Sequence, residues 1–138
     1  MCNSATALFR YCLLSSLLVM GSTSTLLPAR AAEDKPQTVE MTVDYGDGVR
    51  KQFAALEWKA DMTVFDLLSM AAKHPRGIKF THQGSGATAL VTSIDGLKSE
   101  GSGRNWLYEV GGKLGDRSAA LHVLQPGDVV LWKFAKYR

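Results

Sequence analysis

The stretch TVFDLLSMAAK, residues 63–73, is the segment in which apolar residues repeat with a helical period. They follow one another at spacings of three, one and three positions, which places them on one face of an α-helix. These residues are Val64, Leu67, Leu68 and Ala71. Because extended segments precede and follow this stretch, the helix must supply one side of the core.

Both ends of this helix are marked in the sequence. Thr63 can cap the first turn, and Asp66, three positions later, completes a pattern like a capping box. A carboxylate in the first turn also suits the positive end of the helix dipole. Pro75 and Gly77 then stop the helix. The sequence therefore predicts a helix over residues 64–73.

A β-hairpin is predicted before the helix. VEMTVDY, residues 39–45, alternates apolar and polar side chains, which is typical of a half-buried strand. GDG, residues 46–48, supplies residues that accept a positive φ, and VRKQFAALEW, residues 49–58, is extended again.

Further strands are predicted after the helix. They are IKFTHQ at 78–83, ALVTSID at 89–95, NWLYEVGG at 105–112 and VVLWKF at 129–134. The turn QPGD at 125–128 has Pro and Gly where a type II turn prefers them. A hairpin, one helix and several strands predict an α+β fold in which a β-grasp-like mixed sheet packs on a single helix.

The first residues have the features of a secretory signal peptide. The apolar run YCLLSSLLVMG at 11–21 precedes the small-residue stretch LPARAA at 27–32. We expect a signal peptide over residues 1–31, a disordered leader at 32–38 and one domain at 39–138. An uncleaved anchor helix is the alternative, although the run is shorter than the ~20 residues that a membrane crossing needs. The product would be periplasmic or extracellular, with no membrane insertion after cleavage.

Cysteine content and charge limit the mature protein. Cys2 and Cys12 both lie in the predicted signal peptide, so the mature domain would rely on burial without disulfides. The formal charge of the chain is +3, from 16 basic and 13 acidic residues. Loss of Arg10 and Arg30 leaves 14 basic residues and a charge of +1. A nearly neutral domain without a basic stripe argues against a nucleic-acid partner.

Several short strings occur together and in order. They are VDYGDG, MTVFDLLSMAA, VTSIDG and WLYEVGGK, followed by LQPGDVVLWKF. In this combination the chain resembles the transcobalamin carboxyl-terminal-like domain family over residues 39–134. The resemblance implies a β-grasp module of an exported bacterial protein that binds a ligand without catalysis. Cobalamin or a related corrinoid is the ligand that it implies.

The sequence offers little for an enzyme or a metal site. The predicted mature chain has no cysteine to act as a nucleophile. His74, His82 and His122 lack the spacings that bring two imidazoles together on a metal. Ser85 lies between glycines but lacks the strand–turn–helix context of a nucleophilic serine. We therefore expect no catalytic residues, no metal and no bound cofactor.

Aromatic residues are the remaining candidates for function. Trp106 and Tyr108 share one face of their predicted strand, and they could fill the core or contact a ligand. We take Trp106, Tyr108 and Trp132 as candidate ligand-binding residues, with Arg104 and Asn105 as polar contacts. The predicted function is binding of a small molecule. The alternative is a protein-interaction or envelope-associated module that binds another exported protein through exposed sheet edges. The oligomeric state stays open.

Overall fold

A computed structural model describes residues 35–138, and the predicted signal peptide lies outside the described residues. The described chain forms an α+β fold. Its strands are β1 (Thr38–Asp44), β2 (Arg50–Glu57), β3 (Phe80–Gln83), β4 (Leu90–Ile94), β5 (Leu97–Lys98), β6 (Asn105–Val110), β7 (Lys113–Leu114) and β8 (Val129–Ala135). Its α-helix is α1 (Val64–Lys73), and a 3₁₀ turn covers Gly86–Thr88.

The strands form two sheets, where the sequence predicted one. A five-stranded mixed sheet has the order β2-β1-β8-β6-β7, with β1 and β8 parallel and the other neighbours antiparallel. A separate antiparallel sheet has the order β3-β4-β5. This second sheet forms from local hairpins: Asp95 (φ 47°) and Gly96 (φ 83°) make the tight turn between β4 and β5.

The predicted turns are formed. Gly46 follows β1 with φ 74°, and a Cβ atom there would lie 2.6 Å from the carbonyl oxygen of Phe134, so only glycine fits. In the QPGD turn, Asp128 N–H donates to the Gln125 carbonyl at 3.1 Å. Gly127 has the positive φ of 84° that a type II turn requires.

Helix α1 begins and ends where the sequence predicts. The Thr63 hydroxyl accepts a hydrogen bond from Asp66 N–H, and the Asp66 carboxylate accepts one from Thr63 N–H. This reciprocal pair satisfies two backbone donors that the helix itself leaves free. His74 ends the helix in an extended conformation (φ −65°, ψ 146°). No helix of the described part of the chain is long and apolar enough to span a membrane.

The core lies between α1 and the inner face of the five-stranded sheet. Cross-strand pairing joins Val43 to Trp132 and Trp132 to Tyr108, so these three side chains share that face. All four apolar residues of the predicted helical face are buried against it. Full burial of one large apolar side chain contributes about 1.5–3 kcal/mol.

The second sheet covers another part of the inner face. The Trp106 indole N–H donates to the Leu97 carbonyl at 2.7 Å, and the Tyr45 ring lies edge-on to the Trp106 ring, with centroids 5.8 Å apart. The Tyr45 hydroxyl donates to the Asp95 carboxylate at 2.5 Å. Asp95 also accepts from Lys79 N–H at 2.8 Å. The Trp106–Leu97 and Tyr45–Asp95 bonds join the two sheets.

Removing the hydroxyl at the helix cap tests its contribution. Thr63→Val keeps the shape of the side chain and loses the acceptor, so we expect the free energy of unfolding to fall by about 1 kcal/mol. Urea denaturation measures the change. Ser69→Ala is the matched control, because the Ser69 hydroxyl only donates to the Phe65 carbonyl one turn back. A loss no larger in Thr63→Val than in Ser69→Ala would show that the cap contributes little.

The Tyr45–Asp95 contact predicts an alkaline loss of stability. Burial, followed by the hydrogen bond to Asp95 and its charge, raises the pKa of Tyr45 above its ordinary value. A raised tyrosine pKa stabilises the fold below pH ~10, and that stability is lost as the pH rises further. We expect Tyr45→Phe to show a smaller decrease in unfolding free energy than wild type between about pH 9 and pH 11. Tyr137→Phe changes an exposed ring and is the control, which should lose as much unfolding free energy as wild type over this pH range. Equal losses in all three proteins would refute the contribution of the Tyr45–Asp95 contact.

Candidate functional site

The structure brings three of the five predicted site residues to one cavity. Trp106, Tyr108 and Trp132 are 4%, 8% and 2% exposed and lie on the inner face of the sheet. The Tyr108 and Trp132 rings are neighbours, with centroids 5.5 Å apart. All three line a cavity of about 160 Å³. They are therefore core residues that also form part of a cavity wall.

The two predicted polar residues lie elsewhere. The Arg104 guanidinium stacks 4.8 Å from the centre of the Phe134 ring and pairs with Glu100 at 3.4 Å. The Asn105 side-chain amide donates to the Gly101 carbonyl at 2.8 Å. Each lines a different surface groove, and neither lines the aromatic cavity. Their position next to Trp106 in the sequence does not bring them to its cavity.

Four parts of the chain line the cavity. These are the start of β4 with the residue before it, β6, the segment from the end of β7 to residue 119, and two aromatic residues from the last part of the chain. The lining residues are Ala89, Leu90, Val91, Trp106, Leu107, Tyr108, Leu114, Gly115, Arg117, Ser118, Ala119, Trp132 and Tyr137. Most of this wall is apolar, and seven of its side chains are Leu or aromatic rings.

Tyr108 fixes one wall of the cavity. Its hydroxyl donates to the Arg117 carbonyl at 2.7 Å, and Gly115 N–H donates to the Tyr108 carbonyl at 2.9 Å. Gly115 lies so close to the Tyr108 ring that a side chain at this position would collide with it. Burial, followed by the charge of Asp116, raises the pKa of Tyr108. The hydroxyl therefore stays protonated near neutral pH and holds the 115–119 segment against the sheet.

Trp132 carries an unusual polar atom. Its indole Nε1 is buried and has no hydrogen-bond partner, and it is the one side-chain atom of this kind in residues 35–138. The indole N–H groups of Trp58 and Trp106 donate instead to the Leu124 and Leu97 carbonyls, at 2.9 and 2.7 Å. A buried donor without an acceptor destabilises a folded protein.

Sequence reasoning missed the rim of the cavity. Leu90 is 60% exposed, Tyr137 is 72% exposed, and Leu114 is also solvent-accessible. Exposed apolar side chains around an aromatic cavity offer a ligand additional contact area. Tyr137 was visible in the sequence as one of several aromatic residues. Nothing in the sequence indicated Leu90, because its exposure depends on how the second sheet is placed.

Two larger grooves have several charged residues in their lining. One of about 600 Å³ lies along α1 and includes Lys59, Asp61, Asp66 and Lys73. The other, of about 590 Å³, lies on the outer face of the large sheet and includes Arg104, Lys133, Lys136 and Arg138. We place the candidate site at the smaller cavity, because four aromatic residues line it.

The histidines lie apart, each against its own aromatic ring. His74 lies edge-on to Phe53, His82 to Phe65 and His122 to Tyr108. Among residues 35–138, no three His, Cys, Asp or Glu side chains are grouped closely enough to hold a metal ion.

The Tyr108 hydroxyl provides a test of the cavity wall. We expect Tyr108→Phe to lower the free energy of unfolding by about 1 kcal/mol, because the Arg117 carbonyl loses its donor. Amide hydrogen exchange should become faster across residues 115–119. Tyr137→Phe is the control, since that ring is exposed. Unchanged exchange in Tyr108→Phe would mean that other contacts hold the segment.

One family model and two solved structures are similar to this chain. A family described as a domain of unknown function (DUF4430) matches residues 61–136. A proposed metal-binding protein from Ruminococcus gnavus ATCC 29149 is similar at 18% identity and a TM-score of 0.56, covering 73% of this chain and 99% of that one. Haptocorrin in complex with Cbi is similar at 19% identity and a TM-score of 0.61, covering 75% of this chain.

The two structural likenesses concern the fold alone, at identities below 20%. This chain spans 26% of the length of haptocorrin. No curated protein matches the sequence significantly. The family match, however, covers more than half of the chain, and the chain belongs to the DUF4430 family.

Proposed function

We propose that this protein is a non-catalytic β-grasp module that binds a small ligand, with the aromatic cavity as its site. The observation that carries the proposal is the convergence of Tyr108, Trp132 and Tyr137 on one cavity with an exposed apolar rim. Ligand sites in proteins are concave and mostly apolar, with a few polar groups for orientation. In support of a β-grasp arrangement, one helix packs on the inner face of a mixed sheet.

The absence of catalysis is part of the proposal and is supported by the state of the cavity's polar side chains. Tyr108 uses its hydroxyl to hold the backbone at Arg117. The Ser118 hydroxyl donates to the Gly86 and Ala89 carbonyls at 2.8 and 2.9 Å. His122 Nδ1 lies 3.4 Å from the Tyr108 hydroxyl, but that hydroxyl already makes the shorter bond of 2.7 Å to the Arg117 carbonyl.

A corrinoid is the first candidate ligand. Its support is the likeness to haptocorrin, a protein solved with Cbi, together with the transcobalamin-like sequence strings. Size restricts how it would bind. A cavity of about 160 Å³ is comparable to one of ~150 Å³ that holds a single benzene. A corrinoid would therefore lie across the rim formed by Leu90, Leu114 and Tyr137, and place one peripheral group inside.

Export completes the proposal. Residues 1–31 would direct the chain out of the cytoplasm, and the mature domain would act in the periplasm or outside the cell. Both cysteines would be removed with the signal peptide. Binding a ligand in the aromatic cavity requires neither of them.

A protein-interaction module is the second candidate, and one observation favours it. Among the described strands, β2 is one edge of the large sheet and pairs only with β1, and such an edge can accept a strand from a partner. This edge is separated from β6 by β1 and β8. The two candidate functions therefore use different parts of the molecule and can be tested separately.

Calorimetric titration with cobinamide and cobalamin tests the first candidate. We expect saturable binding that Leu90→Ala weakens by about fivefold to tenfold, because part of the apolar rim is lost. Leu121→Ala is the matched control: this leucine is 48% exposed and does not line the cavity. Binding that Leu90→Ala leaves unchanged would remove the cavity from the proposal, and no binding of either compound would remove the corrinoids.

A further inference from the structure

The aromatic cavity and the groove on the outer face of the large sheet share part of their walls. Leu107 and Leu114 line both of them. The last residues of the chain are divided between the two spaces. Tyr137 lines the cavity, and its sequence neighbours Lys136 and Arg138 line the groove. The cavity and the groove are therefore adjacent, so one small molecule can occupy parts of both.

The groove has basic residues in its lining and no acidic ones. The lining residues are Arg104, Leu107, Leu114, Lys133, Ala135, Lys136 and Arg138. Two of the four basic residues have a carboxylate partner: Arg104 pairs with Glu100, and Lys133 pairs with Glu109. By side chains, the four basic residues and the two carboxylates leave this region a net charge of +2.

The excess positive charge belongs to Lys136 and Arg138. Both residues are exposed, and no ion pair among residues 35–138 involves either of them. The Glu100 carboxylate has a lowered pKa, chiefly because Arg104 N–H donates to it, and the charge of Lys136 adds to this effect. A groove with an excess of one charge attracts ligands of the opposite charge. Lysine and arginine both bind carboxylate and phosphate groups.

We propose that the ligand is a small amphipathic anion, whose apolar part occupies the aromatic cavity and whose anionic group lies in the groove beside Lys136 and Arg138. The inference deepens the proposed function and rests on it. The cavity of about 160 Å³ limits the apolar part to about one ring. The groove, of about 590 Å³, has room for a carboxylate or phosphate group with bound water. The shared wall at Leu107 and Leu114 means that a short chain is enough to join the two parts.

Two probes of nearly equal shape separate the charge from the ring. Phenylbutyrate joins a phenyl ring to a carboxylate through a flexible chain, and phenylbutyramide has a neutral amide in place of the carboxylate. Titration of the ¹⁵N-labelled protein with each probe gives the affinity, and the amide resonances of Leu107 and Leu114 report the place of binding. We expect phenylbutyrate to bind about fivefold more tightly at low ionic strength. Added salt should weaken the binding of phenylbutyrate alone, because salt screens exposed charges.

Substitution of the unpaired cations adds an independent measurement. Lys136→Gln removes one charge from an exposed side chain, so it should weaken phenylbutyrate binding about threefold and leave phenylbutyramide binding unchanged. The double variant Lys136→Gln, Arg138→Gln should lose most of the preference for the carboxylate. Lys79→Gln is the matched control, because Lys79 is also exposed and lines neither the cavity nor the groove.

The outcomes separate the inference from the function on which it rests. Equal affinities of the two probes for the wild-type protein would overturn the anionic preference, while saturable shifts at Leu107 and Leu114 would still support a ligand cavity. A preference for phenylbutyrate that the double variant keeps in full would also overturn the inference, since the anion would then bind elsewhere. An absence of saturable shifts with both probes would overturn the ligand cavity and, with it, the anionic preference.

Discussion

One helix has to cover the inner face of a five-stranded sheet, and it is too small to do so. The ten residues of α1 make a cylinder about 15 Å long and 10 Å wide. Five strands spaced by ~4.8 Å span about 19 Å. The helix packs over one part of the sheet, and the aromatic residues of β6 and β8 need another cover. The second sheet and the 115–123 segment supply it.

Three different parts of the chain cover the inner face of the sheet, so its aromatic residues are buried and still line a cavity. Trp106 is closed off by β5, which accepts its indole N–H. Tyr108 is closed off by the segment that its own hydroxyl holds. Trp132 lies beside Tyr108 and receives no acceptor from either cover. The cavity and the unpaired donor are thus two results of the same mismatch between a short helix and a wide sheet.

Local features were predictable from the sequence and long-range ones were not. The helix with its cap at Thr63, the first hairpin and the QPGD turn depend on neighbouring residues, and the sequence predicts them correctly. The placement of the second sheet against the large one depends on contacts between distant residues, such as Tyr45 with Asp95. The sequence left two roles open for Trp106 and Tyr108, because strand alternation shows which residues share a face but not what covers it. Export and the signal peptide at 1–31 stay predictions.

Xenon under pressure tests most directly whether the mismatch leaves an accessible apolar space, because xenon occupies dry apolar cavities of this size. Crystals of the protein treated in this way should show a xenon atom between Tyr108, Trp132 and Tyr137. A side chain that fills this space, or xenon that binds only at other places, would contradict the account.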